Sequence, residues 1–146
     1  MLDAGERPAT VFDLGCGTAV LAIAAAKVLP DAEVLASDID PEAVEESAEN
    51  CRKNATPKID CFVAEGLDHE KIAGRQFELI FANILAGPLV DLAPGIAQAL
   101  APGGKVILSG LLTEQEARVR EAYTDAGLTV ERREPIEGWE TLIAVK

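Results

Sequence analysis

A chain of 146 residues, 49% apolar and 26% charged, is long enough for one domain with its own core. Its formal net charge of −12 works against contact with phosphate backbones, which proteins make by displacing counterions with Lys and Arg, so direct nucleic-acid binding is not expected. The opening MLDAGERPA has no apolar signal core, no apolar run nears the roughly 20 residues that cross a bilayer, and three scattered cysteines with a single His69 match neither a disulfide framework nor a zinc pattern; a soluble, cytoplasmic protein with no metal and no membrane contact is expected.

The first predicted strand is TVFDL, residues 10 to 14, short and rich in β-branched and aromatic residues. It runs into a glycine turn, DLGCG, Asp13 to Gly17. From Thr18 or Ala19 to Leu29 the chain is apolar nearly all round, as in a helix packed between a sheet and its neighbours, and Pro30 closes it. EVLASD then forms a second strand ending at Asp38. Asp40 reads as an N-cap ahead of Pro41 at the first helical position, opening a helix with Val44, Ala48 and Cys51 on one stripe, which puts Cys51 in the core. Between Asp31 and Glu49 there are acids and no base, which suits either a solvated helix face or a surface that draws in a basic partner.

IDCFVA and FELIFA supply the third and fourth strands and KVILSG the fifth, with LAPGG before it as a tight turn. His69, after the third strand, reads as a surface side chain. The segment after Gly87 carries Pro94 and Gly95 in its middle, so a broken or kinked helix is expected. Thr113 and Glu116 have capping-box spacing ahead of a helix that ends near Gly127. LTVERRE and WETLIAVK are joined only by PIEG, too short for a parallel crossover, so they form an antiparallel hairpin at the sheet edge, with Trp139 packed into the core. The whole reads as an α/β chain: a mixed seven-stranded sheet with one strand reversed, helices on both faces and no internal boundary.

The glycine turn discriminates between ligands. A triphosphate loop needs a Lys close behind its second glycine, and none occurs before Lys27. A dinucleotide turn needs Gly or Ala at the position held by Val20, which weakens a nicotinamide-dependent oxidoreductase without removing it. What remains, acid-x-G-x-G after the first strand, resembles the first motif of Rossmann-like S-adenosylmethionine methyltransferases, with Ala19 where that class more often has Gly. Such a cofactor presents an ammonium, a carboxylate and a sulfonium, so it wants bare backbone at Gly15, Cys16 and Gly17 and an acid in reach. Asp13 either serves the ammonium or caps the turn. Asp38, roughly twenty positions past Gly15, stands where nucleotide-binding α/β folds place the acid for the ribose hydroxyls, with Ile39 beside it. Glu65, Gly66 and Leu67 stand where methyltransferases of this class contact the adenine, although Leu67 serves equally as a core residue.

Chemistry in such folds lies beyond the carboxyl ends of the strands, so the loop after the fourth strand, NILAGPL from Asn83, matters most. It keeps the Asn of the N-P-P-aromatic motif of many amino-group methyltransferases but has Ile84, Leu85 and Ala86 in place of the rest. FANILAGPLVDLAP, LAPGGKVILSGLLTEQ and EGWETL, together with DLGCGTAVLAIAAAK and SDIDPEAV, resemble the methyltransferases that modify ribosomal protein eleven of the large subunit, over essentially the whole chain. The resemblance implies methyl transfer from S-adenosylmethionine to lysine ε-amines and the terminal α-amine of a basic ribosomal protein. It implies that Gly15, Asp38 and Asn83 contact the cofactor and that Asn83 also sits beside the acceptor amine; the apolar Ile84, Leu85 and Ala86 that follow are expected to form a substrate-binding mouth that disfavours the charged form of that amine. It further implies that residues 1–146 correspond to the catalytic domain alone, without the family's N-terminal recognition domain. A methyltransferase of the same fold acting on another amine, the oxidoreductase, and a non-catalytic binding module stay open as alternatives.

Overall fold

The structure, a computed structural model, describes residues 5–146; the start of the MLDAGERPA reading lies outside them. In chain order the elements are β1 (Thr10–Leu14), α1 (Val20–Val28), β2 (Glu33–Asp38), α2 (Pro41–Lys53), β3 (Asp60–Val63), β4 (Phe77–Asn83), α3 (Ala86–Ala99), β5 (Leu100–Leu112), a 3-10 turn (Thr113–Gln115), α4 (Glu116–Asp125), β6 (Thr129–Ile136) and β7 (Trp139–Val145). The strands form one sheet in the order β3-β2-β1-β4-β5-β7-β6. Only β7 is reversed: it pairs antiparallel with both β5 and β6, and the other pairings are parallel.

Strict alternation along the central strands explains why helices cover both faces. Phe12, Leu35, Ile80, Val106 and Leu142 point to one side, into a core shared with Leu89, Ala93 and Ile96 of α3 and Val119 and Tyr123 of α4. Their neighbours Val11, Val34, Leu79, Ile107 and Ile143 point to the other, against Ala22, Ile23 and Ala25 of α1 and Cys51 of α2. At α2 the Asp40 side chain accepts from the Glu42 N–H at 3.0 Å with Pro41 next in line, so the cap read from the sequence is present.

Four local expectations are corrected. The segment carrying Pro94 is not broken but runs as helix α3 from Ala86 to Ala99, with Pro94 on its exposed side and the buried stripe through Leu89, Ala93, Ile96 and Ala97 holding the turns on either side. Thr113 and Glu116 do not form the cap before α4. The Gln115 side chain instead accepts from the Leu112 N–H at 2.9 Å, and Glu116 is buried with Arg120 against it at 2.9 Å. LAPGG is no separate turn but a bulge inside β5, where Phe77 pairs with Leu100 and Leu79 with Lys105. Trp139 is 54% exposed, since the hairpin turn is Glu137 and Gly138 alone, both at positive φ, which carries Trp139 out to the strand end.

Because β1 leads outward to β2 and β3 while β4 and β5 lie on its other side, the direction of winding reverses between β1 and β4. At such a switch point the loops leave in opposite directions and open a crevice beyond the carboxyl ends of the strands.

Candidate functional site

The turn after β1 alternates left-handed residues: Gly15 at φ 69°, Gly17 at 56° and Ala19 at 66°. It is fastened from behind. The Cys16 N–H donates to the Ser37 carbonyl at 2.8 Å, and two α2 side chains donate to the turn's own carbonyls, Ser47 Oγ to Gly17 at 2.6 Å and Asn50 Nδ2 to Thr18 at 3.1 Å. Cys16 is buried with its Sγ 3.4 Å from Ser47 Oγ, and burial pushes its thiol up to about 11. These contacts fix the loop without using the front of Gly15, where a β-carbon would run into Ile84 Cγ2.

Two carboxylates flank the turn in different surroundings. Asp38, at the end of β2, accepts from the Gly17 N–H at 2.9 Å and the Asp40 N–H at 3.0 Å, which fixes both oxygens at the crevice wall with lone pairs to spare. Asp13 lies beneath, 1% exposed, and its Oδ2 accepts from the Ala22 N–H in the first turn of α1 at 3.1 Å. Burial pushes Asp13 up to about 7, partly offset by that hydrogen bond and reinforced by the charge of Asp38.

The other wall is built by β4 and α3. Asn83 ends β4 with its side chain exposed, and Leu85, not Asn83, is the N-cap of α3, with no side-chain cap hydrogen bond. Asn83 Oδ1 lies close enough to Gly110 that a β-carbon there would approach it to 2.8 Å. A bulge in β5 between Leu108 and Leu111 puts Gly110, at φ 81°, beside the end of β4.

Between the walls is a cleft of about 680 Å³ lined by Leu14, Gly15, Asp38, Ile39, Ala64, Glu65, Gly66, Asn83, Ile84, Leu85, Pro88, Asp91 and Leu92. Of the residues singled out in the sequence, Gly15, Asp38, Ile39, Gly66, Asn83, Ile84 and Leu85 come together on this cleft. Asp13, Cys16, Gly17 and Leu67 do not line it. Asp13 and Cys16 lie buried beneath the turn, Gly17 belongs to the turn and donates its N–H to Asp38, and Leu67 packs on the core against α3, where a β-carbon on Gly95 would meet its Cδ1 at 2.7 Å. His69 is half-buried against the Phe62 ring, 4.5 Å between centroids. Sequence reading missed Ser47 and Asn50, whose signal was two polar residues three apart on one helix face, the first buried and the second half-buried, and the α3 face of Pro88, Asp91 and Leu92.

Comparison with known proteins gives this geometry a lineage. The family model for ribosomal protein L11 methyltransferase (PrmA) matches residues 1–146. The chain belongs to the ribosomal protein L11 methyltransferase family. A ribosomal protein L11 methyltransferase from Bradyrhizobium diazoefficiens is 51% identical over 143 residues, covering 97% of this chain and 48% of the relative. One from Brucella suis is 48% identical over 136 residues, covering 92% of this chain and 47% of the relative. The chain thus spans about half the length of the curated relatives it matches. The crystal structure of a ribosomal protein L11 methylase from Lactobacillus delbrueckii superposes with a TM-score of 0.87 at 32% identity, covering 97% of this chain and 71% of that one. The family's fold is therefore the Rossmann-like methyltransferase sheet described above. Among the described residues no helix is long and apolar enough to cross a membrane.

Proposed function

We propose that this chain is an S-adenosylmethionine-dependent methyltransferase domain acting on amino groups of ribosomal protein L11, its lysine ε-amines and terminal α-amine, in the cytoplasm. The observation that carries the reading is the cleft at the switch point, where Gly15, Asp38 and Asn83 converge from three strand ends. The residues fit the cofactor. Gly15 offers backbone without a side chain, Asp38 offers both carboxylate oxygens to a ribose diol, and Ile39 and Gly66 offer an apolar side chain and open backbone for a purine. Asp13, beneath the turn, accepts from the Ala22 N–H and so holds the start of α1 in place.

When bound, the cofactor supplies a methyl carbon already activated by a sulfonium, so the protein's task is to position the acceptor. Asn83 Oδ1 accepts from an amine N–H and aims the nitrogen lone pair. Ile84 and Leu85 remove water from the ammonium form, which favours the neutral amine that can attack. An amide takes up no proton near neutrality, so the proton is lost to solvent.

Calorimetric titration with S-adenosylhomocysteine, with NAD as control, tests the cleft, and mass analysis of recombinant ribosomal protein L11 tests the reaction. Saturable binding of the first ligand alone, with mass gains of whole methylene units on the acceptor, is expected. Binding of NAD alone, or an acceptor of unchanged mass, overturns the reading.

A further inference from the structure

β5 carries one residue more than its neighbour can pair. Leu108 faces Leu142 and Leu111 faces Glu140, so Ser109 and Gly110 together stand opposite Thr141 alone. The core shows the same count: Leu108 and Leu111 are both buried on the side of the sheet covered by α3 and α4, where unbroken alternation would send them to opposite faces. The extra residue turns Gly110 toward the end of β4. A β-carbon built on it would lie 2.8 Å from Asn83 Oδ1, 3.3 Å from the Ile84 carbonyl oxygen and 3.8 Å from the Ile84 nitrogen. At φ 81° the backbone also lies in the left-handed region, which favours glycine.

Asn83 needs such a neighbour. Its side chain is exposed, caps no helix and has no hydrogen-bond partner among the described residues. The terminal torsion of an Asn side chain is broad, so nothing local decides which way its oxygen points. Contact with Gly110 does. On that side Oδ1 meets bare backbone, and the Ile84 carbonyl oxygen faces the same space. Ser109, the parallel partner of Asn83, holds the two strand ends in register, and Gly110 itself does not line the cleft between Asp38 and Asn83.

We propose that Gly110 is a positioning residue for methyl transfer: by presenting no side chain at the bulge it lets Asn83 Oδ1 lie where it aims the acceptor nitrogen, and it acts on the reaction through Asn83. The inference rests on the methyltransferase reading above and on the part that reading gives Asn83. The amine's lone pair forms the new N–C bond while the electron pair of the breaking C–S bond stays with sulfur, and the ammonium formed gives a proton to solvent. A methyl group at position 110 cannot share 2.8 Å with Oδ1, so the amide swings away. Misplacement by about 1 Å at a reacting centre costs up to about a hundredfold in rate, and a few tenths of that about tenfold.

The test uses five chains: the native one, Gly110→Ala, Gly103→Ala, Asn83→Ala, and Asn83→Ala combined with Gly110→Ala. Gly103 is the control, at the other end of β5 with φ 76° and open space around it, so alanine there meets the same backbone strain and no neighbour. S-adenosylhomocysteine affinity, melting temperature, the NMR resonances of the Asn83 side-chain amide and transfer to recombinant ribosomal protein L11, followed by mass to long times, are measured on each. Gly110→Ala is expected to lower kcat at least about tenfold and to shift the Asn83 amide resonances, with S-adenosylhomocysteine affinity within about twofold of native. Gly103→Ala is expected to lower the melting temperature by a similar amount and to change none of the other readouts. In the Asn83→Ala background the substitution at Gly110 is expected to cost less than about twofold more, because the group it displaces is gone. Where Gly110→Ala does not fold, Gly110→Asn takes its place, since it carries the same β-carbon in a residue that tolerates left-handed backbone. Native turnover in Gly110→Ala, equal losses in the two glycine variants, or a full further loss in the Asn83→Ala background overturns the positioning role and leaves the enzyme reading intact. Undiminished transfer by Asn83→Ala alone removes Asn83 from the reaction and Gly110 with it. A native chain that binds no S-adenosylhomocysteine and transfers nothing removes the reading on which both rest.

Discussion

Gly15 and Ile84 touch at the switch point so closely that a single β-carbon on the glycine collides with the isoleucine's Cγ2. One residue opens the turn after β1 and the other follows β4, so the cleft floor depends on an atom that is absent. Gly15→Ala meets both this collision and a φ of 69°, and is expected to cost about 1–2 kcal/mol of stability from the backbone alone, with loss of S-adenosylhomocysteine binding. Adding Ile84→Ala relieves the collision but not the backbone strain, so the double variant should recover part of the affinity. Denaturant melts and calorimetry on the three chains check this; full affinity in Gly15→Ala alone would show that the two loops are free to part.

Asn83 is exposed and leaves α3 uncapped, so the fold has little invested in its amide. Asn83→Ala should change stability by no more than about 0.5 kcal/mol while slowing transfer by about a hundredfold or more. Thermal melts and initial rates decide the matter. Undiminished turnover would take Asn83 out of the reaction.

Asp13 predicts a pH dependence of stability. Its carboxyl lies at about 7 in the fold against an ordinary 3.8, so between those values the folded chain holds a proton that the unfolded chain releases. The contribution of Asp13 to stability is therefore fully present below about 4, is lost as pH rises toward 7 and changes little above that. Asn in place of Asp keeps an acceptor for the Ala22 N–H and removes the titration. Asp13→Asn should be more stable than the native chain at pH 8, on the order of 2–4 kcal/mol, with the difference vanishing near pH 4. Urea melts at the two pH values measure it, and a gap that fails to close in acid would show that Asp13 is not the group responsible.

Pro94 sits within α3 on the exposed side and denies the Val90 carbonyl its helical partner. Pro94→Ala restores that hydrogen bond and the helical preference, partly offset by a looser unfolded chain, for a net gain of about 1 kcal/mol. A higher melting temperature is expected. A lower one would mean that α3 needs the proline's geometry to seat Gly95 against Leu67.

The parts legible in the sequence are those governed by nearest neighbours. Short runs rich in β-branched and aromatic residues, TVFDL and FELIFA, identified central strands, and Asp40 with Pro41 identified a helix start, because each signal is complete within a few residues. The cleft's strand-end residues Gly15, Asp38 and Asn83 were legible because a motif and its spacing mark the ends of parallel strands. Expectations failed where a distant element decided the outcome. Trp139 reads as core by type, but its cross-strand partners are themselves the exposed ends of two other strands. Thr113 has the right spacing for a cap, yet the Gln115 amide reaches Leu112 first and Glu116 is drawn inward by Arg120 and Arg133. Ser47 and Asn50 brace a turn some thirty residues away, a contact no local pattern encodes.

The order of the strands in space differs from their order of synthesis, and β7 shows the consequence. Translation produces β5 and then β6, but β6 has no strand to pair with until β7, the later one, slides between them. While the nascent chain lacks Trp139–Val145, β5 presents an open row of backbone donors and acceptors, a template for pairing with other chains. The flank of β5 is covered only when β7 arrives, so a chain halted before Trp139 exposes an adhesive edge on a domain otherwise nearly built.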